Sequence, residues 1–299
     1  MKWTGWSAAI GSAVWAVIPL PPGSLTQVFL LMPLVLSPLA LAVLASLCER
    51  EAGQQMPKIA RLQPLAAGCL TGAFLEPPGP RAGVLASVWL AFALALLASL
   101  PWSRVRNPSR IAAHVFLVVG AVWLVLWRLG VSPRQLNSER VFLAATHFHF
   151  SGFLLHVLIT ATGRRLRDAL PGLFRLQRAI AILAIAGIGL LLVGNLLALP
   201  SLKLAGVVGM VGSTLGLAFT STAVARASSS LSERWLLCGS AASISVGMLL
   251  ALIYGMGELT GRNWIGLHRM VPLHGLVNAL GFGLLGLLGH LARINAKEV

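Results

Sequence analysis

The chain has 299 residues, 57% hydrophobic and only 10% charged, with a mean hydropathy of +0.84. Charged residues make up about a quarter of an ordinary soluble domain, so this composition excludes water as the main solvent. A formal charge of +15 does not mark a nucleic-acid partner, because the basic residues lie between apolar runs and form no basic domain or tail.

Apolar runs of about 18 or more residues recur from end to end, each long enough for a bilayer core roughly 30 Å thick. They are continuous rather than alternating, which excludes a transmembrane β-barrel. The expected fold is an all-α integral membrane protein, a single polytopic domain of about ten helices at 3–20, 25–48, 59–75, 82–100, 111–129, 141–162, 174–199, 202–225, 235–255 and 268–291. The first run follows Lys2 and has no small-residue cleavage site after it, so it reads as an uncleaved span with Trp3 and Trp6 as interface anchors. Cys48, Cys69 and Cys238 offer no disulfide framework or zinc spacing and are expected to pack as small apolar residues.

With the N-terminus in the cytoplasm, sixteen of the 23 Lys and Arg fall on the inner side, many of them in "TGRRLRDALPGLFRLQR". This bias predicts that both termini are cytoplasmic. It also brings His147, His149 and His274 to one level, about 10 Å below the outer boundary at 1.5 Å per residue. Glu76 ("AFLEPPGP"), Tyr254 and Glu258 ("LIYGMGELTGR") and Asn195 lie at the outer ends of their spans.

Ionisable groups within a span cost about 2.5 kcal/mol or more each and face the bundle interior or a wet cavity, so these side chains are candidates for function. In "THFHFSGFLLH", His149 and His156 share a face with Thr146, Gly152 and Thr160, while His147 points nearly the opposite way. One metal therefore does not bind both His147 and His149 on a regular helix. Either the helix is distorted there or it is central. In the tenth span His274 and Asn278 are i and i+4, and the expectation is that this helix lies against the sixth, so that His274 and His149 face one another across a pocket. His114, His268 and His290 read as interface residues. The "GVVGMVGSTLG" ridge of the eighth span fits close helix contact, and its GxxxG spacing allows a homodimer.

Three functional readings follow. His147, His149, His156 and His274 are candidate ligands for a transition metal (iron, copper or zinc), with Glu76 or Glu258 as ligand or base and Asn278 orienting a substrate. His149 and His274 as axial haem ligands are the rival form of that reading. Either would support redox or hydrolytic chemistry on a small or lipidic substrate. The second reading is a proton-coupled transporter of a small molecule, and the third a non-catalytic assembly protein whose polar cluster fixes helix packing. No phosphate-binding loop, HExxH, nucleophile elbow or dinucleotide fingerprint is present.

The pair "THFHFSGFLLHVLI" and "MVPLHGLVNALGFGLLG" resembles the pattern of the YndJ-like bacterial membrane proteins, with an HFH-type segment and a later HG-x-x-NA-x-GF segment. That resemblance implies the bacterial inner membrane and importance of His147, His149, His274 and Asn278, and the family carries transporter labels. His156 departs from the pattern.

Overall fold

The computed structural model describes residues 2–21, 23–48, 55–102, 105, 107–133, 136–262 and 264–296. Each apolar run is a helix. They are α1 (Lys2–Val17), α2 (25–48), α3 (Gln63–Leu75, after a single turn Gln55–Ala60), α4 (Pro80–Ala98), α5 (Pro108–Leu129), α6 (Ser138–Ala169), α7 (Pro171–Leu196), α8 (Pro200–Arg226), α9 (Leu231–Thr260) and α10 (267–296). No strand occurs among the described residues. Eight helices are long and apolar enough to cross a membrane, so the chain is built as a multi-pass membrane protein. The exceptions are α1, with 16 residues, and α3, with 13.

Helix limits follow local chemistry. Pro64, Pro80, Pro108, Pro171 and Pro200 stand in the first turns of α3, α4, α5, α7 and α8, where the missing N–H costs nothing and φ is pre-set. Asn107 and Asn137 accept from Ser109 N (3.0 Å) and Arg140 N (2.9 Å), capping α5 and α6. Gly130 (φ 75°) and Gly261 (φ 68°) end α5 and α9 in the left-handed region that glycine enters without a Cβ clash.

Three helices leave α geometry in mid-course. Met32–Leu36 of α2, Phe148–Leu154 of α6 and Val277–Leu284 of α10 are π-helical. Such wide turns are rare and recur at functional sites. Two of the three contain or adjoin the histidines singled out by sequence.

The helices group into two compact units, 1–18 with 29–157 and 19–28 with 158–299, whose boundaries fall after α1 and within α2 and α6. In the first unit α1 and α3 pack on the middle of α2, α3 on α4, α4 on α5, and α5 on the N-terminal half of α6. α2 is buried from Phe29 to Leu44, which its all-round hydrophobicity requires. In the second unit α7 to α10 pack in chain order. The C-terminal half of α6 receives α10, where a Cβ on Gly286 would meet Leu158 Cδ1 at 3.1 Å. The tenth helix meets the sixth through the C-terminal half of each.

Candidate functional site

In the first unit His149 sits in the π segment of α6 and is fully buried. Its Nδ1 lies 2.7 Å from the Ala145 carbonyl, and its Nε2 lies 3.0 Å from Trp89 Nε1 on α4. A carbonyl only accepts and an indole N–H only donates, so the imidazole is neutral with its proton on Nδ1. The surroundings are aromatic: Phe29 meets the ring edge-on at 5.1 Å, and Trp89 stacks at 6.2 Å. α5 approaches closely because residue 120 is glycine, where a Cβ would stand 2.6 Å from His149 Nδ1. Gly152 makes room in the same way for Phe116, a turn further along α6.

His156 is also fully buried; its Nδ1 donates to the Gly152 carbonyl (2.7 Å), and its ring lies 5.4 Å from Phe116. His147 is exposed and bonds Leu143 O at 2.8 Å within its own helix. Burial therefore follows the division read from spacing, with His149 and His156 inward and His147 outward. Of the two explanations for His147 and His149, the structure has the distorted helix.

Glu76 is the C-cap of α3 and half-buried. What ties it into the fold is its carbonyl oxygen, which accepts from the Arg128 guanidinium. Arg128 is only 4% exposed and lies 4.6 Å over the Trp127 ring. A guanidinium stacked on indole gains a cation–π contact that offsets some of its desolvation.

In the second unit His274 is half-buried and bridges two helices. Its Nδ1 donates to the Gly247 carbonyl of α9 (2.9 Å), and Asn278 Nδ2, a turn further along α10, donates to its Nε2 (2.9 Å). Residue 247 must be small, since a Cβ there would stand 2.2 Å from Asn278 Oδ1. That oxygen is buried and accepts no hydrogen bond among the described residues. Nearby, Ser240 of α9 donates to Phe282 O at 2.8 Å inside the π segment of α10, whose widened turn frees carbonyls from their usual partners. Glu258 lies in α9 near its end, but its side chain is outside the described residues.

A second polar cluster lies deeper in this unit. His290 Nε2 is 3.3 Å from Thr162 Oγ1, which is 3.5 Å from Ser221 Oγ. Arg165 is ion-paired with Glu233, and Ser228 donates to the same carboxylate. His290 and His114 are 6% and 0% exposed, so both are core residues rather than the interface residues their positions suggested. Trp89 and the Thr162–Ser221–His290 group were missed in the sequence. A tryptophan in mid-span was a usable signal, since a buried indole N–H takes a partner.

Among the described residues no group of three or more His, Cys, Asp or Glu side chains is placed to hold a metal ion. Both ring nitrogens of His149 and of His274 are engaged by protein groups.

No curated protein and no solved structure matches the chain. A family model described as YndJ-like protein matches residues 27–282, which runs far beyond the two helices that carried the sequence resemblance. The match takes in α3 to α9 whole, most of α2, the first half of α10 and, among the described residues, every buried histidine but His290, and the chain therefore belongs to the YndJ-like family.

Proposed function

We propose that the protein is a proton-coupled carrier of a small molecule in the bacterial inner membrane, with His274 as its proton-binding group. One observation carries the proposal: the partner of His274 Nε2 is a carboxamide, which turns either a donor or an acceptor toward the ring. In the neutral state Nδ1 donates to Gly247 and Nε2 accepts from Asn278. Protonation makes both ring nitrogens donors. Gly247 still accepts from the first, and a half-turn of the Asn278 amide presents Oδ1 to the second.

That half-turn gives a partner to Oδ1, the buried acceptor that lacks one among the described residues, and takes the ring nitrogen from Nδ2, so the two states of the pair differ by the proton and by which end of the amide is unpartnered. His149 has no such option. Trp89 offers only a donor, so a proton on Nε2 would face another N–H. The two histidines thus divide into one held neutral by its partner and one poised to exchange. His274 is packed by α9, α10 and residues 19–28, where Gly275 meets Val28. Their titratable groups are Glu233, Arg234, Cys238, Tyr254 and Glu258 on α9 and, besides His274 itself, His268, Arg269, His290 and Arg293 on α10.

Support for the metal and haem readings is weaker, because ligation at His149 or His274 would displace an existing hydrogen bond. A packing role alone accounts for His149, and it leaves the unpartnered Asn278 oxygen without a reason. In a chain with the native cysteines changed to serine and Val277→Cys introduced beside Asn278, a membrane-impermeant maleimide tests the carrier. Because thiol ionisation alone slows maleimide addition as pH falls, each rate is divided by that of the same reagent with glutathione at the same pH. The expected outcome is a normalised rate that changes at least threefold between about pH 8 and about pH 5, either side of the imidazole reference near 6.5, with that change abolished by His274→Gln. A normalised rate that is independent of pH, or labelling absent from both faces, would contradict it.

A further inference from the structure

The first unit holds a cavity of about 700 Å³ between α1 and α3, floored by Leu34 of α2. Its volume is within the ~300–1,000 Å³ range of small-molecule sites. Its walls differ from end to end. Trp3 and Trp6 of α1 and Arg61 before α3 stand at one end, and Ile10, Val14, Ala67 and Gly68 line the rest. Ser7 Oγ of α1 donates to Gln63 Oε1 at the start of α3 (3.2 Å), joining the two walls. Gln63 in turn donates to the Pro33 carbonyl of α2, at the first turn of its π segment. From Trp3 to Val14 the groove is about 17 Å long at 1.5 Å per residue.

The polar end carries a positive balance. Arg61 lines it, and Lys58 is exposed one turn before. Indole rings and cations at one end of an apolar slot are the arrangement that membrane proteins use at the headgroup level. The charge bias assigns this end to the cytoplasmic face, where anionic lipid concentrates.

We propose that the groove between α1 and α3 is a binding site for one anionic phospholipid, its phosphate at Arg61 between Trp3 and Trp6 and an acyl chain along Ile10, Val14 and Gly68. Gly68 supplies a clean probe. A Cβ at this position meets nothing within 4 Å, so a larger side chain starts into open space on the groove wall. Gly5 of α1 is equally open and does not line the cavity.

Native mass spectrometry of the full-length detergent-purified protein, titrated with phosphatidylglycerol or with phosphatidylcholine of the same chains, tests the site. The expected result is one tight phosphatidylglycerol adduct, at least fivefold stronger than phosphatidylcholine. Arg61→Gln removes that preference by weakening phosphatidylglycerol about fivefold, the scale of one basic residue at a membrane surface. Gly68→Phe abolishes both adducts, and Gly5→Phe retains them. Equal binding of the two lipids, an adduct unchanged in Gly68→Phe, or a lipid-free dimer that Gly68→Phe breaks would overturn the proposal. Where Gly68→Phe fails to fold, the headgroup preference in Arg61→Gln decides alone.

Discussion

At the residue scale, the chemistry of a histidine here is set by what its second nitrogen meets. His149 Nε2 meets an indole, and the bond from Trp89 ties α4 directly to α6 through this ring. Trp89→Phe keeps most of the buried volume and removes the donor. It leaves a buried acceptor unsatisfied, at about 1–3 kcal/mol. The expected outcome is a clearly lower melting temperature in detergent with unchanged helix content by circular dichroism. A melt identical to the wild type would show that the bond contributes nothing. That three histidines in one apolar run needed separate explanations was legible in "THFHFSGFLLH". That their partners would be an indole, a carbonyl and a phenyl ring was not, since those groups come from Trp89, Gly152 and Phe116, on other helices or other turns.

At the element scale, the ridge of small residues on α8 has a definite occupant. Gly206, Gly209 and Gly216 face Gly187, Leu191, Leu183 and Ile180 of α7, and a Cβ on Gly206 would meet the Leu191 backbone nitrogen at 2.7 Å. The spacing was readable as a close-contact surface, whereas spacing alone does not say whether the second helix belongs to the same chain. Backbone, unlike a side-chain tip, does not turn aside, so Gly206→Ala forces α7 and α8 apart at an overpacking cost of about 1–3 kcal/mol. Proteolysis of detergent-solubilised protein should cut the α7–α8 turn faster in this variant. Equal cleavage rates would sink the assignment. The π segments were beyond sequence reading for a related reason. A widened turn leaves the composition and the apolar period almost untouched, and only the awkward placement of His147 and His149 hinted at one. The ends of α1 and α3 were misjudged where prolines intervene: α1 stops at Val17 ahead of Pro19 and Pro21, and α3 begins at Gln63 beside Pro64.

At the scale of the whole molecule, ten apolar runs predicted ten helices in the right places because burial in lipid requires long continuous hydrophobicity, the strongest signal that a sequence carries. Function was far less legible. It turns on which donor faces which lone pair across two helices, and the i, i+4 spacing of His274 and Asn278 showed only that those two side chains meet. The third member, the Gly247 carbonyl, is a backbone group on another helix and leaves no mark in composition. The family match is broad and adds no reaction of its own, so the carrier proposal rests on the contrast between His149, whose partner only donates, and His274, whose partner can reverse. The most direct measurement is the ¹⁵N spectrum of imidazole-labelled protein in liposomes, taken at about pH 8 and about pH 5, with His274→Gln and His149→Gln identifying the two rings. The account predicts that the His274 Nε2 signal moves from the acceptor to the protonated range while His149 stays unchanged. A His274 signal that stays neutral at the lower pH, or a His149 signal that moves in its place, would contradict it.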